Sequence, residues 1–139
     1  MEQRLVDIEA GPFRMVGRLE DKLAPVTCHR FVEMLPHTTK FIHVRWSGEG
    51  CWLPMGDQEV NLPWENATQY PAPGEMIFYP GGFSETEILL AYGAVSFKSK
   101  LGALAGNHFL TVIEGKEHLR ELGRLTLWEG AQAVVFRLR

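Results

Sequence analysis

Cysteine and long apolar runs are both scarce in this chain. Cys28 and Cys51 are its only cysteines, and their spacing fits no metal-binding motif. No apolar stretch approaches the roughly 20 residues of a membrane helix, and the N-terminus lacks the basic flank and apolar core of a signal peptide. We therefore expect a cytoplasmic protein with no membrane partner, in which the two thiols are free rather than joined in a disulfide.

Basic residues are not in excess either. The formal net charge is −3 and the pI about 5.9, and the sequence has no local basic patch, so it predicts no nucleic-acid partner. Gly-x-Ser-x-Gly, Walker, dinucleotide-binding and paired-cysteine motifs are all missing. The sequence thus offers no candidate for covalent catalysis and predicts no cofactor. Its length of 139 residues fits a single domain over residues 1–139.

The segment from Gly74 to Gly93 is the most informative part that is present. It contains two short apolar runs, 76–79 and 88–92, separated by a loop that begins Pro80-Gly81-Gly82. Proline cannot donate to a strand ladder and glycine tolerates positive φ, so this punctuation predicts two strands joined by a loop. Because both runs are apolar throughout, we expect these strands to be covered on both faces.

Further elements follow from periodicity and from proline and glycine positions. Residues 4–9 and 13–19 alternate around Gly11-Pro12 and predict a hairpin, while Pro25 and helical apolar spacing predict a helix within 21–35. We also predict strands over 106–113 and 133–138 and an amphipathic helix over 116–128. This order indicates a mainly β, mostly antiparallel closed barrel capped by two short helices.

Alternation over residues 39–46 also predicts which side chains of one strand are buried. Ile42, Val44 and Trp46 share one parity and are predicted to face the core, whereas Phe41, His43 and Arg45 share the other. Arg45 on the polar face has two plausible uses. It can hold a carbonyl or carboxylate of a ligand through its rigid fork of donors, or it can form an ion pair with Glu49, Glu65 or Glu87.

Several segments together resemble the cyclophilin-like barrel superfamily, in particular its short prokaryotic members of unknown function. They are TCHRFVEMLP, FIHVRWSGEG, ENATQYPAPGEMIFYPGG, AYG, SKLGALAGNHFLTVIEG and LWEGAQAVVF. The resemblance covers most of the chain from Thr27 onward. It implies a barrel of about eight strands, capped by two helices, with a ligand groove on its outer wall.

The resemblance also implies a set of groove residues. Arg45 matches the arginine with which the isomerases of the superfamily polarise a prolyl amide, and His108 and Phe109 match a polar groove residue followed by an aromatic one. Tyr79 and Tyr92 are added as further candidates for the groove. Ser47–Trp52 replaces the glycine-rich stretch of the isomerases, and their tryptophan-bearing loop has no counterpart.

Three functions are compatible with this site. The first is binding of a small molecule or peptide in a groove around Arg45. The second is peptidyl-prolyl isomerisation, in which Arg45 would stabilise the twisted amide without any nucleophile. The third is a structural role in a homo-oligomer, because Trp52 and Trp64 lie in turn-rich segments where an aromatic residue lines either a pocket or an interface.

Two other groups of residues are candidate sites. His43 and His108, together with the Pro-Gly-Gly turn, suggest a cupin-type metal centre, but that site needs clustered histidines and here they are scattered singly. The sequence therefore predicts no metal site. Glu85 and Glu87 are interpreted as solvated charges of a loop and a strand start.

Overall fold

The computed structural model describes residues 3–139. In chain order, its strands and helices are β1 Leu5–Ala10, β2 Phe13–Leu19, α1 Pro25–Glu33, β3 His37–His43, β4 Gly48–Pro54, β5 Ala67–Thr68, β6 Glu75–Tyr79, β7 Glu87–Val95, β8 Lys98–Ser99, β9 Gly102–Ala103, β10 Gly106–Glu114, a 3₁₀ turn Lys116–His118, α2 Leu119–Trp128 and β11 Gln132–Leu138.

Eight of these strands close into an antiparallel barrel. They pair in the order β2-β1-β11-β3-β4-β7-β6-β10, and β10 pairs with β2 to complete the ring. The two-residue strand β5 pairs with the start of β10, and β8 pairs with β9 in a separate short hairpin. The predicted mainly β barrel with two short helices is thereby confirmed.

Both helices bury an apolar face against the barrel interior. Pro25 occupies the first turn of α1, and the helix ends at Glu33, before Pro36, as the sequence predicts. Phe31 of α1 is fully buried among the interior residues, as is Leu122 of α2. None of the helices in residues 3–139 is long and apolar enough to span a membrane.

The apolar runs of β6 and β7 are covered on both faces, as predicted. Alternate residues enter the barrel interior, while those between them form a second apolar cluster on the outside of the wall. The chain that follows β7 covers this outer cluster, since Phe97 and Leu104 pack in it. The interior residues of the two strands are Met76, Phe78, Ile88, Leu90 and Tyr92; the outer ones are Ile77, Tyr79, Leu89 and Ala91.

The predicted facing of residues 39–46 is wrong. Strand β3 ends at His43, and the chain turns over residues 44–47 before β4 begins. Phe41 points into the core, with no exposed surface, whereas Trp46 is 54% exposed. Within the strand the parity is the reverse of the prediction, because Phe41 packs in the barrel interior and Ile42 is half-buried. Beyond His43 the chain leaves the strand, so the period of two no longer applies there.

Trp52, which the sequence places in a turn-rich segment, lies in strand β4. Its pairing with β7 runs from Gly48 to Pro54 with a bulge near its start. A Cβ atom at Gly50 would lie 3.3 Å from side-chain carbons of Leu89, so this glycine leaves room for that side chain and does not mark a turn. Long-range pairing thus overrides the local turn signal.

Candidate functional site

One cavity of about 760 Å³ opens at an end of the wall formed by β4, β6 and β7. Its floor is formed by Val44, in the turn before β4, and by the half-buried Trp52 of β4. Its rim is formed by four chain segments. The rim segments are residues 45–47, 56–59, 80–87 and 98–101. The loop that begins Pro80-Gly81-Gly82 therefore forms part of the cavity wall.

Two of these rim segments are fastened together by Thr86. Its hydroxyl donates to the carbonyl of Gln58 at 2.6 Å, and its backbone N–H donates to the carbonyl of Gly56 at 3.0 Å. Thr86 is buried, so these bonds hold the loop after β4 against the start of β7. The side chains presented along this pair of segments include four carboxylates, which we call the acidic wall: Asp57, Glu59, Glu85 and Glu87.

The other two rim segments are fastened by Ser47. Its hydroxyl donates to the carbonyl of Lys98 and accepts the backbone N–H of the same residue, both at 3.0 Å. The turn between β3 and β4 is thus joined to the β8–β9 hairpin. Three cations lie along these segments, and we call them the basic wall: Arg45, Lys98 and Lys100.

The charges of the two walls do not neutralise one another. Throughout residues 3–139, none of the three cations of the basic wall forms an ion pair, and neither does any carboxylate of the acidic wall. Two of the three predicted partners of Arg45 have other contacts. Glu49 pairs with Arg120 at 2.6 Å, and Glu65 accepts hydrogen bonds from Thr27 at 2.7 Å.

Arg45 instead lies against an aromatic ring. Its guanidinium carbon is 5.8 Å from the ring centroid of Trp52, a cation–π arrangement on the cavity floor. The indole Nε1 of Trp52 is buried and has no hydrogen-bond partner, the one such side-chain atom in the described chain. A buried donor without a partner is unusual, and here it belongs to a residue of the cavity.

Glu87 is one of several cavity residues that the sequence does not predict. The sequence indicates a solvated charge there, but only 8% of the residue's surface is exposed, and it lies at the cavity. Burial, with the charge of Glu85, raises its pKa to about 7. A carboxyl group with such a pKa in a cavity is typical of functional sites. Its one sequence signal is a glutamate directly before the apolar run of β7.

The structure does not gather the predicted groove residues into one place. Of the five, only Arg45 lines the cavity. Phe109 is fully buried in the barrel interior against Phe31 and Phe78. His108 is half-buried, and its Nε2 lies 2.8 Å from the hydroxyl of Thr111.

The two tyrosines of the predicted groove lie on opposite faces of the wall. Tyr79 belongs to the outer cluster, where its hydroxyl accepts the backbone N–H of Ser84 at 3.1 Å. Tyr92 points into the interior, and its hydroxyl lies 2.6 Å from Nε2 of His43. Tyr79 thus supports the loop that forms the cavity rim, whereas Tyr92 is remote from it.

Trp52 and Trp64, each predicted to line either a pocket or an interface, lie in different places. Trp52 lies on the cavity floor, and Trp64 is exposed outside the cavity. The cavity gains apolar surface instead from residues that are more than half exposed, and these are Trp46, Phe83 and Leu101.

The chain matches one protein family over nearly its whole length. Residues 6–138 match a family described as a protein of unknown function, DUF3830. The chain belongs to the DUF3830 family. No curated protein matches it in sequence.

Two solved structures show the same fold as this DUF3830 chain. A structure of McbB in complex with tryptophan matches 95% of the chain with a TM-score of 0.69 and 18% identity. The match covers 44% of McbB, so the chain spans less than half of that protein. The solution structure of the hypothetical protein AF2241 from Archaeoglobus fulgidus matches 97% of the chain and 94% of its own length, with a TM-score of 0.60 and 16% identity. At these identities the likeness concerns the fold.

Proposed function

We propose that this chain binds a small molecule in the cavity beside Arg45. The observation that carries the proposal is an arginine without an ion-pair partner among residues 3–139, held over an aromatic ring at a cavity of about 760 Å³. Ligand sites of proteins have volumes of roughly 300–1,000 Å³ and combine apolar walls with a few polar anchors. The cavity has both properties, and its size suits a small molecule better than an extended peptide.

Two further points support the binding of a ligand. The neighbour McbB was solved in complex with tryptophan, so one protein that contains this fold holds a small amphipathic molecule. The cyclophilin-like resemblance also puts ligand recognition at Arg45. The residues it adds, His108 and Phe109, do not line the cavity, and for this reason we favour binding over isomerisation.

Self-association is a separate prediction that light scattering tests.

Binding can be tested with an isotope-labelled sample and a library of small metabolites. We expect library members that bind to shift the amide NMR signals of residues 44–47 and 98–101. Arg45→Ala should weaken their binding at least tenfold, and Arg45→Lys should weaken it less because it keeps the charge but loses the forked donors. The matched control is Arg14→Ala, which removes an exposed arginine outside the cavity.

The result can also go against the proposal. If no library member shifts signals at the cavity, or if every ligand binds Arg45→Ala as tightly as the unchanged protein, the cavity is not the binding site.

A further inference from the structure

The cavity has opposite charges on separate segments. The acidic wall is built on the segments that Thr86 fastens, and the basic wall on the segments that Ser47 fastens. The absence of ion pairs between the walls, in the part of the chain described, means that opposite charges there are not in direct contact. The raised pKa of Glu87 agrees with this separation, because burial and the charge of Glu85 raise it and no cation lowers it.

Apolar surface is the third component of the cavity. Trp46 on the segment of Arg45, Leu101 on the segment of the lysines, and Phe83 on the Pro-Gly-Gly loop are each more than half exposed. Contact between water and large exposed apolar side chains is unfavourable. An apolar ligand that covered these side chains would displace that water. The floor adds the ring of Trp52.

From this arrangement we infer that the cavity takes a zwitterionic ligand, with its ammonium group at Glu85 and Glu87, its carboxylate at Arg45 and the lysines, and an apolar, preferably aromatic, body between them. The inference rests on the proposed function and specifies its ligand class. A ligand with only a negative charge would leave the carboxylates of the acidic wall without a partner. A ligand with only a positive charge would leave the cations of the basic wall without one. An α-amino acid carries its ammonium and carboxylate groups on the same carbon atom, so its two charges are close together. A ligand whose charges are farther apart fits two separate walls better.

The probe we choose is 4-(aminomethyl)benzoate, which has an ammonium group and a carboxylate at opposite ends of a benzene ring. Its matched partners are 4-methylbenzoate, which lacks the ammonium group, and benzylamine, which lacks the carboxylate. Calorimetric titration at about pH 8, above the pKa of Glu87, compares the three. We expect the zwitterion to bind at least tenfold more tightly than either partner.

Variants then assign each end of the probe. Glu87→Gln combined with Glu85→Gln should reduce the preference for the zwitterion over 4-methylbenzoate to less than threefold. Lys98→Ala combined with Lys100→Ala should reduce the preference for the zwitterion over benzylamine to less than threefold. Glu129→Gln, an exposed carboxylate at the end of α2, is the control and should leave both preferences unchanged.

Two outcomes overturn the inference, and they are distinct from failure of the proposed function. Equal binding of the zwitterion and either partner shows that one wall does not recognise the ligand. Binding of other library members at the cavity while the zwitterion does not bind also overturns it, and the proposed function then stands. If nothing in the library binds at the cavity, the inference and the proposed function are both wrong.

Discussion

Thr27 and Glu65 lie 38 residues apart in the chain and meet at the N-terminus of helix α1. One carboxylate oxygen of Glu65 accepts the backbone N–H and the hydroxyl of Thr27, each at 2.7 Å. No side chain within α1 itself caps this end. The long segment between β4 and β6 therefore supplies the cap, and it is tied down by the bond that does so.

Glu65→Ala should consequently lower the free energy of unfolding by about 1–3 kcal/mol, because a charge-assisted cap on a helix N-terminus is lost. Urea unfolding followed by circular dichroism measures this change. Glu59→Ala, on the same segment but exposed and without an ion pair in the described residues, is the control and should change stability by less than about 0.5 kcal/mol. Equal effects of the two variants would show that the cap is unimportant.

Gly123→Ala should destabilise the protein even though alanine is the better helix former. In a free helix interior this change stabilises by roughly 0.5–1 kcal/mol. Here a methyl group at position 123 would lie 2.5 Å from carbons of the Tyr92 ring. We expect a net loss of about 1–3 kcal/mol in thermal or urea unfolding. Leu127→Ala, at an exposed position of the same helix, is the reference for an unstrained change.

Local punctuation explains why much of this fold is predictable. Gly11-Pro12 separates the first two strands, Pro25 begins α1, and the Pro-Gly-Gly sequence ends β6. Each of these signals acts through the φ angles and hydrogen bonds of its own few residues. For that reason the first hairpin, helix α1 and the strands around residue 80 follow from the sequence.

The cavity depends instead on contacts between distant segments. Ser47 joins the turn after β3 to Lys98, about 50 residues later, and Thr86, directly before Glu87, is joined to Gln58, 28 residues earlier. Periodicity within one segment contains no information on these contacts. Arg45 was therefore predictable as a candidate on resemblance, whereas its neighbours in the cavity were not.

Both cysteines should resist thiol reagents in the folded protein. Cys28 and Cys51 are fully buried and free, and burial raises the pKa of each thiol to about 12. Because the thiolate is the reactive form, a disulfide reagent at about pH 8 should react only on unfolding. We expect no absorbance change on the native protein within minutes and two thiols per chain in guanidinium chloride. Rapid reaction of one thiol in the native state would contradict the burial of that residue.

Glu87 should make the protein less stable as the pH rises. Its pKa is raised from the usual 4.5 to about 7 in the folded state, so between these values the folded protein binds more protons than the unfolded chain. The stability present below about pH 4.5 is therefore lost progressively as the pH rises through 7, and this loss amounts to at most about 3 kcal/mol for one group.

Glu87→Gln removes this titration while keeping the shape of the side chain. The variant should unfold at higher urea concentration than the unchanged protein at about pH 8, and the difference should shrink towards zero near pH 4.5. Glu85→Gln, at the exposed neighbour, should reproduce only a small part of the effect, since burial is the larger cause of the shift. A difference that stays constant from pH 5 to 8 would mean that Glu87 is ionised throughout. In that case the carboxylate would be better solvated at the cavity than its burial indicates.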